Sequence, residues 1–212
     1  MPLSMHESGK SSTRALFPFI VGVDEAGRGP LAGPVVAAAV VLGEAAPEGL
    51  DDSKKLPARQ RAVLEAAIKA SCRWSVGVVD VMDIDRLNIF GATMLAMTRA
   101  VATLCRASGA KPSEVLVDGN HTPAGRCDDW CWNGRAIVGG DGLEPCISAA
   151  SIIAKEHRDR MMRSLAVHHP QYGWERNAGY GTPEHLEALR IHGPTQHHRR
   201  SFAPVAQLEM PL

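Results

Sequence analysis

Val21-Gly22-Val23-Asp24-Glu25-Ala26-Gly27-Arg28-Gly29-Pro30 decides how the rest of this chain is read. Phe19 to Val23 is an apolar run that predicts a buried strand. It ends on two adjacent carboxylates and a glycine-bracketed arginine. Strand alternation sends Asp24 and Glu25 to opposite faces. Their use at one site therefore predicts that the chain leaves the pleat here, which Gly27, Gly29 and Pro30 permit. Clustered carboxylates suit a hard cation such as magnesium. A glycine-framed arginine beside them offers donors to an anionic polymer. Together they point to metal-dependent work on phosphates.

A lone Asp-Glu pair more often just opens a turn. A nucleotide-binding loop is excluded by spacing: Gly27-x-Gly29-x-x-x-Gly33 misses the dinucleotide pattern by one residue. No G-x-x-x-x-G-K-[ST] occurs either. The 212 residues fit one domain with tails. With 45% apolar and 22% charged residues the balance is that of a globular protein. Basic and acidic residues number 23 each, which argues against a binder whose whole surface is basic. It leaves room for a nucleic-acid enzyme whose acidic site offsets a local basic patch. The five cysteines sit mostly in apolar segments, and Met1 to Arg14 is polar rather than leader-like. The expectation is a cytoplasmic protein with reduced thiols and no membrane association.

Along the chain, residues 1–14 read as a disordered tail, 15–203 as one catalytic domain and 204–212 as a flexible tail. Pro34 to Leu42 predicts the hairpin partner of the first strand. Pro57 opens a helix ending near Ala70, and Cys72 to Val79 predicts a third strand. From Asp83 to Ala107, Leu87, Phe90, Met94, Met97, Val101 and Leu104 recur at helical spacing, with a break expected near Gly91. Glu114–Val117 and Arg135–Val138 read as short strands, 147–167 as a helix, and Thr182-Pro183 to Gly193-Pro194 as another. Three apolar segments thus end on acid: Val23-Asp24, Val117-Asp118 and Val138-Gly139-Gly140-Asp141. Strand ends are where α/β sheets gather ligands, so these three acids can meet if their strands are neighbours.

The string from Asp24 to Val36 resembles the signature of the ribonuclease HII family. Further matches follow in order: Asp52-Ser53-Lys54-Lys55-Leu56, Asn88, Val117-Asp118-Gly119, Ser148-Ala149-Ala150-Ser151-Ile152-Ile153-Ala154-Lys155, Arg158-Asp159, and Tyr172-Gly173-Trp174 through Gly179-Tyr180-Gly181-Thr182. The resemblance runs from about residue 20 to 205. It implies an α/β, RNase H-like fold: a mixed central β-sheet flanked by helices, with a helical C-terminal part. It also implies an endoribonuclease that cuts the RNA strand of RNA–DNA hybrids and 5′ of ribonucleotides embedded in duplex DNA. Two divalent ions, Mg2+ or Mn2+, would be held by Asp24, Glu25, Asp118 and Asp141. Such pairs act about 4 Å apart in an in-line displacement, here leaving 5′-phosphate and 3′-hydroxyl ends.

By the same resemblance, backbone groups of Gly27, Arg28 and Gly29 grip the 2′-hydroxyl, the one group that separates RNA from DNA. Tyr180 packs on the neighbouring deoxyribose. Ser53, Lys54 and Lys55 contact phosphate, and Lys155 and Arg158 add positive charge. One departure stands out: the family usually has a lysine before its last catalytic aspartate, where this chain has Gly139-Gly140. The terminal Gln207-Leu208-Glu209-Met210-Pro211-Leu212 resembles the peptide by which bacterial repair proteins dock on the replication sliding clamp, with Leu208, Met210 and Leu212 as anchors and Gln207 as a polar contact. Two non-enzymatic alternatives stay open on the sequence. One is a catalytically weak nucleic-acid binder on the same fold. The other is a zinc-stapled adaptor on His121, Cys127 and Cys131, which lacks an obvious fourth ligand.

Overall fold

The computed structural model describes residues 19–209. The expected tail at residues 1–14 lies outside them, as do Met210, Pro211 and Leu212. Five strands form one sheet: β1 (Ile20–Ala26), β2 (Val35–Val41), β3 (Arg73–Val79), β4 (Glu114–Asp118) and β5 (Gly134–Ile137). Their spatial order is β3-β2-β1-β4-β5. β1–β2 and β2–β3 pair antiparallel, whereas β1–β4 and β4–β5 pair parallel. The sheet is therefore mixed, with the expected hairpin between β1 and β2.

Period-two alternation builds both faces. Val21, Val23, Ala37 and Ala39 face α2 (Val81–Ser108), meeting Ile84, Met97, Val101 and Leu104. Ala38 and Val40 face the other way, onto α1 (Ala58–Ser71) and α3 (Pro145–His168), through Leu64, Ile68, Ala150 and Ile153. By length and composition α2 is apolar enough to cross a membrane, but here it lies along β2 and β3 with one side buried. The small α4 (Trp174–Asn177), α5 (Pro183–His192) and α6 (Ala203–Ala206) complete the C-terminal part. They pack a second core of Leu31, Met162, Tyr172, Trp174, Leu189 and Val205.

Three local expectations change. β1 does not leave the pleat at Asp24: it continues to Ala26, with Asp24 opposite Ala38 and Glu25 opposite Ala37. The chain turns away only at Gly27, whose φ of +99° suits glycine. The break in α2 falls at Asn88 (φ 58°, ψ 169°), not at Gly91. There the Asn88 carboxamide oxygen accepts from the N–H of Phe90 (2.9 Å) and Gly91 (3.1 Å), an N-cap inside the helix. Finally, residues after Pro204 do not all form a free tail. Val205 is fully buried, and Gln207–Glu209 make one 3₁₀ turn with Leu208 exposed.

Candidate active site

β1, β4 and the segment after β5 are neighbours, and this brings Asp24, Asp118 and Asp141 together. One carboxylate oxygen from each lies within 4.8 Å of the others. Asp141 arrives on a single 3₁₀ turn, Gly140–Gly142, and its N–H donates to Asp118 Oδ1 at 3.2 Å. The Ser148 hydroxyl, in the first turn of α3, donates to the Asp141 carbonyl at 2.6 Å. Glu25 lies outside this trio because the intact pleat turns it away. It faces Arg28, 3.5 Å distant.

Electrostatics single out the same acids. Asp24 is almost completely buried, and its carboxyl is pushed well above the usual carboxylate range. Burial is the main cause, then the charges of Glu25 and Asp118; hydrogen bonds from Ser151 and the Glu25 N–H oppose it. Glu25 is also raised by burial, with Asp118 adding and Arg28 opposing. Asp141 is raised by burial, Asp118 and Asp52. Buried like charges with oxygen-only donors are a set that a hard divalent cation would relieve, so the residues present fit such an ion. Among the described residues no other group of three or more His, Cys, Asp or Glu approaches closely enough to share one. Cys127, Cys131 and His121 form no such group. His121 instead bonds Asn120 and lies edge-on to Phe90.

Beside the acids lies a pocket of about 360 Å³, lined by Gly27, Arg28, Gly29, Ser53, Lys54, Lys155 and Tyr180 among others. Tyr180 is half exposed there, and a Cβ on Gly29 would sit 3.4 Å from its ring. Ser53 is buried, its hydroxyl 2.9 Å from that of Ser151. Burial alone would lower the Lys54 pKa, but Asp52, Asp24, Asp141 and Glu25 outweigh it and raise it. Lys55 points to Asp51 (3.2 Å), and Lys155 pairs with Asp159 (2.7 Å). Arg158, expected to add positive charge here, is also part of the pocket lining. It is buried, and its Nε, Nη1 and Nη2 donate to the carbonyls of Pro34, Ala178 and Ala32.

Arg199, His185 and His198 escape a reading of the sequence, because their partners are distant in the chain. Thr195 N–H donates to His198 Nδ1, and Trp174 Nε1–H can only donate, to His185 Nε2. His198 Nε2–H must then donate to His185 Nε2 (3.0 Å), and His185 Nδ1–H to the Tyr180 carbonyl (2.9 Å). This network, with both rings neutral, holds the backbone of Tyr180.

Burial, then the charges of His185, His169 and His197, pushes the His198 pKa down to about 3. Unfolded, it titrates near about 6.5. The folded state binds fewer protons, so stability is full above that unfolded value and is lost as pH falls towards 3. Thermal melts from pH 7 to 4 should therefore show a falling Tm, with a shallower slope in His198→Gln. An unchanged slope in that variant would assign the acid sensitivity to other groups.

Residues 21–205 match the family model described as Ribonuclease HII. A curated relative, ribonuclease HII of Novosphingobium aromaticivorans, is 73% identical over 192 residues, covering 90% of this chain and 98% of its own. Among solved structures, ribonuclease H2 of Pyrococcus horikoshii superposes with a TM-score of 0.69 at 26% identity, covering 90% of this chain and 97% of that one. The PCNA:RNase HII complex of Archaeoglobus fulgidus gives the same TM-score and identity over 85% of this chain and 93% of that chain.

Proposed function

This chain belongs to the ribonuclease HII family, and from that premise we infer that Asp24, Glu25, Asp118 and Asp141 hold the divalent ions at its cutting site. Membership makes it an endoribonuclease, a hydrolase acting on RNA paired with DNA. The assignment of the site rests on one observation: the carboxylate trio within 4.8 Å, Asp24 buried and Asp118 and Asp141 half-buried, with Glu25 electrostatically linked to Asp24 and Asp118. Four carboxylates carry enough charge for two ions, magnesium or manganese. When bound, these would supply the Lewis acidity that activates water and stabilises the departing oxygen.

The protein's own groups do the rest. Asp24, fixed in the sheet, presents a carboxylate whose position no loop motion can alter. The Asp141 N–H holds Asp118 in place. Lys54, drawn to the acids, faces the phosphate side, and the turn at Gly27–Gly29 reads the 2′-hydroxyl. Tyr180 packs on the next sugar. Cleavage 5′ of a ribonucleotide then leaves 5′-phosphate and 3′-hydroxyl ends. Duplex DNA with one ribonucleotide, offered with magnesium and with EDTA, tests this reading. A metal-dependent cut at the 5′ side is expected; a cut elsewhere, or one surviving EDTA, overturns it.

Tyr180→Ala should lower kcat/KM on the single-ribonucleotide duplex by about tenfold more than on a uniform hybrid. Lys54→Ala should weaken both about equally, because a phosphate contact carries no sugar information. The reverse pattern would exchange their roles.

A clamp partner is supported by the segment from Gln207 to Leu212 and by the solved PCNA complex of an archaeal relative. Gln207 and Leu208 are exposed beside the buried anchor Val205. Deleting 207–212 should abolish sliding-clamp binding and leave cleavage of short duplexes intact. Binding that survives the deletion removes the assignment. Five free cysteines fit a reducing cytoplasm as the place of work.

A further inference from the structure

Two buried guanidiniums sit behind the substrate-facing turn, and neither has a carboxylate within ion-pair distance among the described residues. Arg199 is fully buried and donates to four backbone carbonyls: Gly27 (2.6 Å), Arg28 (3.0 Å), Gly33 (2.9 Å) and Pro34 (3.2 Å). Arg158 donates to Pro34 (2.9 Å) and Ala32 (3.0 Å) on that same segment, and to Ala178 (2.9 Å) two residues before Tyr180. Burying a charged group without a counter-ion is costly, and here burial lowers the Arg158 pKa to about 10 and the Arg199 pKa to about 9. A neutral core residue would avoid that cost, so the carbonyl contacts need an explanation other than packing.

Peptide geometry supplies one. No peptide bond among the described residues is cis. In a trans peptide the carbonyl of one residue and the N–H of the next point in opposite directions. Drawing the carbonyls of Gly27 and Arg28 inward onto Arg199 therefore aims the N–H groups of Arg28 and Gly29 outward, into the pocket that Tyr180 also lines. Neither N–H has a hydrogen-bond partner among the described residues. Gly27 makes the arrangement possible from inside: a Cβ there would fall 2.0 Å from Arg158 Nε.

We propose that Arg199 and Arg158 are positioning residues for substrate choice. Arg199 aims the two free N–H donors of the Gly27–Gly29 turn at the ribose. Arg158 ties that turn to the Tyr180 loop, so that two readers meet two consecutive sugars at a fixed spacing. Lysine cannot replace either, because one ammonium cannot serve carbonyls on two loops in a planar fork. The spacing between the two readers is thus held by guanidiniums that bond the backbone of both segments.

The inference rests on the proposed reading of the turn and Tyr180, and the experiment separates the two. kcat/KM is measured for the wild type, Arg158→Lys and Arg199→Lys on a single-ribonucleotide duplex and on a uniform RNA–DNA hybrid. Wild-type failure to cut the single-ribonucleotide duplex would defeat the functional reading itself. With the wild type active, each variant should lose about tenfold more on the single-ribonucleotide duplex than on the hybrid. Equal losses on both substrates, or no loss, overturn the inference. Should neither variant fold, amide exchange in Asp118→Asn protein decides. The Arg28 and Gly29 amides should exchange freely and become protected by the single-ribonucleotide duplex but not by all-DNA duplex. Amides already protected without substrate, or unprotected with it, overturn the inference as well.

Discussion

Asp24→Asn should reduce cleavage by at least about a thousandfold, roughly 4 kcal/mol of lost transition-state stabilisation, without unfolding the protein. The loss of activity follows from removing the most deeply buried carboxylate of the trio. The retained fold follows from the sign of its pKa shift. Burial, Glu25 and Asp118 all raise it, so the folded state binds more protons than the unfolded one. Without metal, stability is therefore lost as pH rises from the ordinary carboxylate range through the raised value. Asparagine removes that penalty. In EDTA at neutral pH the variant should melt no lower than the wild type, while divalent metal should raise the Tm of the wild type far more than that of the variant. Near-normal turnover, or an equal metal-induced rise in both, would contradict the assignment.

Gly22→Ala should destabilise the fold by about 4 kcal/mol or more, which for a domain of this size lowers Tm by about 10 °C or more. A Cβ at Gly22 would lie 2.2 Å from the Cys146 carbonyl carbon and 2.5 Å from the Ile147 N, both in the backbone of α3. A flexible side chain could swing aside, but a helix backbone cannot. Either α3 must back away from β1 or the strand must bend. Since α3 also carries Ser148 and Ser151 against the acids, the surviving folded fraction should turn over slowly too. A urea midpoint close to that of the wild type would show that the contact between β1 and α3 is looser than drawn.

Strands and acids were legible because they follow short-range rules. Val21, Val23, Val115 and Val117 announce two buried strands by their spacing; Asp118 marks the end of β4, and Asp24 lies two residues before the end of β1. Asp141 could be placed near them only by assuming that β5 neighbours β4, which the register confirms. The path of β1 through Glu25 was not legible. Glycines after the acid pair suggested an early exit, whereas pairing to Ala37 and Ala38 of β2 keeps the pleat intact. Asn88 matches the family pattern, but nothing local shows that its side chain caps a second helical piece. Arg199 left no trace at all, since its partners are carbonyls more than 160 residues away and carbonyls carry no residue identity. Val205 misled for a related reason: one buried side chain anchors a segment too short to show periodicity.

The account stands most directly on metal at the carboxylates. Crystals of the protein grown with manganese, measured at the manganese absorption edge, should show two anomalous peaks bounded by Asp24, Glu25, Asp118 and Asp141, both absent from Asp24→Asn crystals. Peaks located instead at His121, Cys127 and Cys131, or none at the four acids, would contradict it.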